Sequence, residues 1–225
     1  MSATRRQAFG LNLSTGQLAE IFGFNQAIWR ALIDDGKVPG FRIPGTVERR
    51  MPIEDAIQLA RDYKMRRACV QLEDIAASLG ASTVFVPACL IVSSTVSFGV
   101  DFARAGFDAS TVPSVFRAGQ VIGSRSFRAV IVDQALGTQE ALGLAADLRQ
   151  WLPAAILACL LNEDENNVEL FRDSGYSLCW QKPADMAKAS QATWEAVHAR
   201  AAYVPENPFT EKPAKAVRKK RNRSA

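Results

Sequence analysis

Hydrophobic residues recur at two different spacings along the chain, and the change of spacing divides it into two parts. Between residues 14 and 65, apolar side chains mostly stand three or four positions apart, as on helices that bury one face. From about residue 83 onward, short continuous apolar runs alternate with amphipathic segments. The first pattern predicts a small helical unit. The second predicts an α/β unit whose parallel sheet is covered on both faces.

Two short helices joined by a tight turn are predicted near the start of the chain. Ser14 followed by Gln17 has the sequence of a capping box, which begins a helix. Gly23 ends that helix, and Asn25 is the expected cap of a second one. The second helix, QAIWRALIDDG, stops at Gly36. Two helices connected in this way predict a helix-turn-helix.

The segment that follows, KVPGFRIPGTVERRMP, predicts a hairpin of two short strands. Pro44 and Gly45 favour the turn between the strands. Arg42, Arg49 and Arg50 stand on the hairpin, where they suit either contact with phosphate or a solvated edge that resists aggregation. A third helix, PIEDAIQLARDYKM, is predicted next, with proline and acidic residues in its first turn.

The stretch LSTGQLAEIFGFNQAIWRALIDDGKVPGFRIPGTVERRMPIEDAI resembles the excisionase and MerR-like winged helix-turn-helix family. The most specific part is DDGKVPGFRIPG followed by RR and PxED. This resemblance implies that the second helix enters the major groove of double-stranded DNA while the hairpin, or wing, contacts the backbone. The residues it assigns to the DNA face are Gln26, Ala27, Trp29 and Arg30 on the helix and Arg42, Arg49 and Arg50 on the wing.

Two features of the second helix limit this assignment. Trp29 suits a core position as well as a DNA-facing one, because large aromatic side chains are usually mostly buried. Arg30 is the only cation in NQAIWRAL. We therefore expect base-specific affinity to be modest.

The second apolar pattern predicts five strands that alternate with helices. The strands are ACLIVSS, DASTVP, FRAVIVD, AAILACLL and YSLCWQKP. This part resembles the receiver domain of bacterial response regulators, which implies a flavodoxin-like, doubly wound, five-stranded parallel sheet. Asp133, at the end of FRAVIVD, matches the phospho-acceptor aspartate of that family, and Lys182 matches its lysine.

The receiver pattern is incomplete at the residues that handle phosphate. Ser93 and Ser94 stand where receivers carry an acidic pair that holds magnesium, and hydroxyls are poor substitutes for carboxylates as magnesium ligands. Cys159 or Leu160 occupies the position of the Ser or Thr that contacts the phosphoryl group. We therefore expect a pseudo-receiver that takes no phosphate, with phosphorylation of Asp133 as the alternative.

These patterns predict four regions in an α/β protein. They are a winged helix-turn-helix at 1–66, a linker or connecting helix at 67–82, a receiver-like domain at 83–199 and a disordered basic tail at 200–225. The apolar stripe of the connecting helix also suits a dimer seam. The tail carries seven Lys and Arg residues from Lys212 onward and no acid, which favours either a polyanion partner or a solubilising end.

Composition argues against several other classes of protein. The four cysteines form no CxxC pair and the chain has one histidine, so we expect no metal site, no cofactor and no enzyme activity. The start of the chain has no apolar core of a signal peptide, and no run is long enough to span a bilayer. We expect a cytoplasmic protein with no membrane partner.

The predicted function is that of a DNA-binding transcriptional regulator of response-regulator type. Double-stranded DNA is the expected partner, and the receiver-like domain is expected to take part in signal input, a homodimer or contact with a partner protein. Two alternatives use the same sequence features. One is an excisionase-like architectural factor in site-specific recombination, and the other is an adaptor that binds no DNA.

Overall fold

The structure is a computed structural model that describes residues 11–80, 86–95, 97–163 and 167–202. Most of the predicted basic tail lies outside these ranges. The described chain forms an N-terminal unit and a C-terminal unit. The elements of the N-terminal unit are β1 (Asn12–Ser14), α1 (Thr15–Phe22), α2 (Gln26–Asp34), β2 (Phe41–Arg42), β3 (Arg49–Pro52), α3 (Ile53–Asp62) and α4 (Arg66–Ser78).

The first two helices begin and end as their sequence predicts. The Gln17 N–H donates to Ser14 Oγ at 3.2 Å and the Ser14 N–H donates to Gln17 Oε1 at 2.8 Å, which completes the capping box of α1. Gly23 ends α1 in the left-handed conformation, with φ of 78°. Asn25 caps α2 by accepting the Ala27 N–H at 2.8 Å. Both helices start at the predicted caps, and α2 ends at Asp34, with Asp35 as its C-cap, just before the predicted stop at Gly36.

Strands β2 and β3 form a hairpin in the predicted segment, and it is part of a three-stranded antiparallel sheet in the order β1-β3-β2. Strand β1 was not predicted, because a three-residue strand is too short for apolar and polar positions to alternate visibly. Its central residue, Leu13, lies opposite Met51, and both side chains are wholly buried. The strand therefore fixes the hairpin to the N-terminal core.

Helix α4 is part of the N-terminal unit. Two residues of its predicted apolar stripe, Leu72 and Ala76, are buried with Ala68 in the same core as α1, α2 and α3. Cys69 and Ile75 pack partly against this core, and Leu79 is exposed, so a dimer seam on the outer part of the stripe stays a prediction. A fragment that stopped at residue 66 would lose this packing, because it would end at the first residue of α4.

The C-terminal unit has five parallel strands in the order β5-β4-β6-β7-β8. The predicted parallel sheet is confirmed, and this order is that of flavodoxin-like folds. The elements are β4 (Ala88–Val92), α5 (Phe98–Arg104), β5 (Asp108–Val112), α6 (Val115–Ile122), β6 (Ala129–Asp133), α7 (Thr138–Trp151), β7 (Ile156–Leu161), α8 (Val168–Asp173), β8 (Leu178–Gln181) and α9 (Met186–Ala202).

Helices cover both faces of this sheet, which explains why its central strands are continuously apolar. On one face, Leu90 and Val130 pack with α6 and α7. On the other face, Ile91 and Ile131 pack with α5 and α9. Within the described ranges, no helix combines the length and apolarity needed to cross a membrane.

The two units share a buried interface at the hairpin. Phe41 on β2 is almost wholly buried and belongs to the core between the sheet and helices α6 and α7. A second contact between the units is polar: the Arg128 guanidinium lies 2.5 Å from a carboxylate oxygen of Asp55, which is buried at the start of α3. Asn12 donates to the carbonyl of Ser124 at 3.2 Å. The hairpin therefore packs in two cores at once.

The Asp55–Arg128 pair is a polar contact whose loss should destabilise the interface. Burial raises the pKa of Asp55 above its ordinary value, although the Arg128 charge acts in the opposite direction. Without Arg128, the carboxylate would lose the cation that compensates its burial. Removing one partner of a buried ion pair typically lowers the free energy of unfolding by several kcal/mol.

We predict that Arg128→Met lowers the free energy of unfolding by about 3 kcal/mol at neutral pH, as expected for a buried charge left without its partner. The folded-state pKa of Asp55 would rise further in this variant. Protonation then neutralises the unpaired buried carboxylate and restores part of the lost free energy of unfolding. The difference in free energy of unfolding between the variant and the wild type should therefore shrink as the pH falls toward about 4, the usual range of aspartate.

Denaturant unfolding at several pH values measures this effect. Arg104→Met is the matched control, because Arg104 forms an exposed pair with Asp101 on the surface of α5. This control should leave stability unchanged within error. A loss in Arg128→Met no larger than that of the control would contradict the interface described here.

Candidate functional sites

A groove of about 580 Å³ lies between the start of α1, helix α2 and the hairpin. Its walls combine polar side chains of α1 and α2 with the arginines of β3. The lining residues are Asn12, Ser14, Thr15, Gly16, Gln17, Gln26, Arg30, Val47, Glu48, Arg49 and Arg50. Four of the seven residues predicted to contact DNA line this groove; the three that do not are Ala27, Trp29 and Arg42.

The four residues predicted on the DNA face of α2 do not all lie on one side of that helix. Gln26, Ala27 and Arg30 are exposed. Trp29 is wholly buried, and its ring lies 4.9 Å from the ring of Phe22. The assignment of Trp29 to the DNA face is therefore wrong: helical spacing places it on the inner side of α2, where it anchors the core.

The hairpin arginines have acceptors within the N-terminal unit. Arg49 binds the carboxylate of Asp34 through two hydrogen bonds of 2.9 and 2.7 Å, which tie β3 to the end of α2. Arg50 pairs with Glu48 at 2.7 Å and remains partly exposed. Arg42 donates to the Thr46 carbonyl at 2.9 Å, across the turn. Arg49 thus braces the groove, while Arg42 and Arg50 stiffen the hairpin.

The second site lies at the opposite end of the sheet from the interface. Asp133 ends β6 and is buried, and Lys182, just after β8, pairs with its Oδ1 atom. Ser93, just after β4, donates its hydroxyl to Asp133 Oδ2 at 2.8 Å. The Ala135 N–H donates to Oδ1 at 2.9 Å. The predicted Asp133 and Lys182 are together, and both oxygens of the carboxylate already have partners.

The residues around Asp133 do not suit a magnesium ion. Magnesium sites in proteins are built on carboxylates, and here Ser93 and Ser94 follow β4 in their place. Ser93 also uses its hydroxyl on Asp133, which a cation at that carboxylate would have to displace. Across the described ranges, no group of three or more His, Cys, Asp or Glu side chains is placed to hold a metal.

The register of the sheet decides which residue of β7 stands opposite Asp133. It is Leu160, whose side chain is buried in the core toward α5 and α9. The neighbouring Cys159 is buried in the other core, and burial raises the pKa of its thiol. Neither side chain offers the hydroxyl that a receiver provides at this strand end.

Gln134 is a buried member of this site that the sequence reasoning missed. Its Oε1 accepts the Asn162 N–H at 2.8 Å, and its Nε2 donates to Thr138 Oγ1 at 3.1 Å. The side chain therefore connects the end of β7 with the start of α7. The sequence signal that could have identified Gln134 is its position directly after a buried strand, because the carboxyl ends of parallel strands meet at one edge of the sheet.

Among solved structures, this chain is similar to response-regulator proteins over about half of its length. A response regulator from Thermotoga maritima is 16% identical, with 51% of this chain and 99% of that chain covered and a TM-score of 0.46. A CheY-like receiver domain protein from Methanospirillum hungatei JF-1 is 14% identical, with 52% and 98% covered and a TM-score of 0.48. Neither a family model nor a curated protein matches the chain. The strand order itself establishes a flavodoxin-like fold for the C-terminal unit.

We predict that Lys182→Met lowers the free energy of unfolding by about 2 kcal/mol, the usual size of a lost hydrogen bond to a buried charge. Adding Asp133→Asn should recover most of this loss, because the remaining amide carries no charge. Denaturant unfolding measures both effects.

The control for this experiment is Lys188→Met, which removes an exposed pair with Asp185 on the first turn of α9. It should change stability by no measurable amount. If Lys182→Met also left the free energy of unfolding unchanged, the structural role given to the Asp133–Lys182 pair would be wrong.

Proposed function

We propose that this protein is a DNA-binding regulator in which α2 enters the major groove of duplex DNA and the hairpin lies against the phosphate backbone. The C-terminal unit, in this proposal, is a receiver-like module that takes no phosphate and serves as a scaffold and a surface for other proteins. Promoter control is the role we favour over recombination, in keeping with the receiver-like fold.

One observation carries the DNA-binding part of the proposal. Gln26 and Arg30 are exposed one helical turn apart on α2, and both open onto a groove that has the hairpin as its other wall. Helices of this kind read base edges in the major groove, which is wide enough to admit them. Arg50, partly exposed on the hairpin, suits the phosphates that flank such a helix.

The chemistry at Asp133 supports a receiver-like unit that is not phosphorylated. Phosphoryl transfer needs a metal ion and positive groups to hold the developing charge. Asp133 lies beside Lys182 and Ser93, both engaged with its carboxylate, and the residues present do not suit a divalent cation. The carboxylate therefore acts as a structural acceptor that joins the ends of three strands.

We predict that Arg50→Ala weakens binding to every duplex and lowers the slope of log affinity against log salt by about one, as expected for the loss of one phosphate contact. Fluorescence anisotropy with a labelled duplex over a range of salt concentrations measures the slope. The full chain is used throughout, since the hairpin packs against both units.

Arg104→Ala is the matched control, because Arg104 is highly exposed on α5 in the other unit. It changes the net charge equally and should leave the slope unaltered. If Arg50→Ala and Arg104→Ala gave the same slope as the wild type, the hairpin would have no part in binding phosphate.

We also predict that acetyl phosphate, with or without magnesium, produces no adduct on Asp133. Intact-mass measurement of the full chain tests this directly. A competent receiver treated in parallel serves as the positive control. A mass increase that disappears in Asp133→Asn would reject the phosphate-independent role proposed for this unit.

The adaptor alternative has one observation in its favour. The guanidinium groups of Arg49 and Arg50 are paired with Asp34 and Glu48, so part of the hairpin charge is neutralised within the chain. An adaptor would bind no duplex at low salt, whereas the regulator proposed here would. The anisotropy experiment therefore separates the two.

A further inference from the structure

Asp34, the last residue of α2, links that helix directly to the hairpin. Its carboxylate accepts two hydrogen bonds from the Arg49 guanidinium, at 2.9 Å from Nε and 2.7 Å from Nη2. A bidentate pair of this kind fixes both the distance and the relative orientation of its partners. The helix proposed to enter the major groove is therefore tied at its end to the hairpin that faces it.

Arg49 lies where the paired part of the hairpin ends and its turn begins. It stands opposite Arg42 in the register of β2 and β3, and its Nη1 donates to the Val47 carbonyl in the turn. Three of the five N–H donors of the guanidinium are thus used within the N-terminal unit, and the side chain is 14% exposed. Arg49 therefore connects α2, β3 and the turn.

Apolar packing holds the other side of the hairpin. Phe41 is buried in the C-terminal core, and Ile43 packs against the same core. Pro44 lies close to the C-terminal unit, because a Cβ atom at Gly123 would be 3.5 Å from its Cδ. None of this packing involves Asp34. Without the Asp34 charge, the hairpin should therefore stay folded while its angle to α2 is no longer fixed.

Electrostatics and positioning predict opposite effects of removing this carboxylate. Asp34 is 42% exposed and is bonded to an arginine that lines the groove, so its negative charge repels a phosphate backbone bound there. On charge alone, neutralising Asp34 should strengthen DNA binding. If the placement of the hairpin limits binding, neutralising Asp34 should weaken it, because only molecules with the hairpin correctly placed bind.

We propose that Asp34 is a positioning residue for DNA binding: through Arg49 it holds the hairpin at the spacing from α2 that a duplex requires. This role outweighs the repulsion between Asp34 and phosphate. The inference rests on the proposed function, since it concerns the same groove. It makes Arg49 a bridge within the protein and leaves the more exposed Arg50 as a phosphate contact of the hairpin.

Fluorescence anisotropy of the full chain with a labelled duplex, over a range of salt concentrations, tests this proposal. Asp34→Asn should weaken binding by roughly fivefold, the upper range for an exposed ion pair, although it removes a negative charge. The slope of log affinity against log salt should stay that of the wild type, because no phosphate contact is lost. Denaturant unfolding checks that the variant is folded under the assay conditions.

Arg49→Lys separates the bridging role from charge. Lysine keeps the positive charge, but its single ammonium group cannot reproduce the two hydrogen bonds of the guanidinium. This variant should therefore bind as weakly as Asp34→Asn, and the double variant should bind no more weakly than either single one. Arg49→Lys also keeps the test valid if Asp34→Asn folds poorly.

Glu48→Gln is the matched comparison, because Glu48 lines the same groove and carries the same charge. Its carboxylate pairs with Arg50, two residues away on the hairpin, so this pair does not fix the distance to α2. Neutralising Glu48 should strengthen binding, since it removes a negative charge from the groove and releases Arg50 for phosphate.

Opposite effects of Asp34→Asn and Glu48→Gln on affinity would support the proposal. An affinity of Asp34→Asn equal to or above that of the wild type would overturn it. Wild-type affinity in Arg49→Lys would also overturn it, because charge alone would then explain the role of Arg49. Both of these results would leave DNA binding itself standing. If the wild type bound no duplex even at low salt, the proposed function would fail as well.

Discussion

The packing of the hairpin into two hydrophobic cores is the constraint on which the other features depend. Leu13 and Met51 fix its inner side to the N-terminal core, while Phe41 enters the core of the C-terminal unit. The Asp55–Arg128 pair is a second contact between the two units and would be costly to separate. The hairpin is therefore held from both sides, and the groove that it forms with α2 depends on the whole chain.

This arrangement gives the two ends of the parallel sheet different roles. The N-terminal unit docks through Arg128, just before β6, whereas Asp133 lies at the other end of that strand. The strand is apolar from Ala129 to Val132 and packs with helix α7, so the two ends are joined by a tightly packed body. At that end, the carboxylate of Asp133 joins the ends of β4, β6 and β8 through Ser93 and Lys182.

Much of this fold could be predicted from local signals, because caps, turns and continuous apolar strands act over a few residues. Ser14 and Gln17 defined the start of α1, and the apolar run ending at Asp133 defined β6. Contacts between distant residues could not be predicted in this way. Nothing near Asp55 indicates that its partner is Arg128. For Trp29 the sequence left a core position and a DNA-facing one open, and the family resemblance assigned the DNA face although the spacing to Leu32 and Ile33 matches the buried side.

Amide hydrogen exchange of the full chain is the most direct test of the shared hairpin. If both cores hold it, the amides of β2 and β3 and those of β6 should exchange through one common unfolding event, with similar protection and a shared dependence on denaturant. Hairpin amides that exchanged orders of magnitude faster than β6, with no response to denaturant, would contradict this account. They would mean that the hairpin opens while the C-terminal unit stays folded.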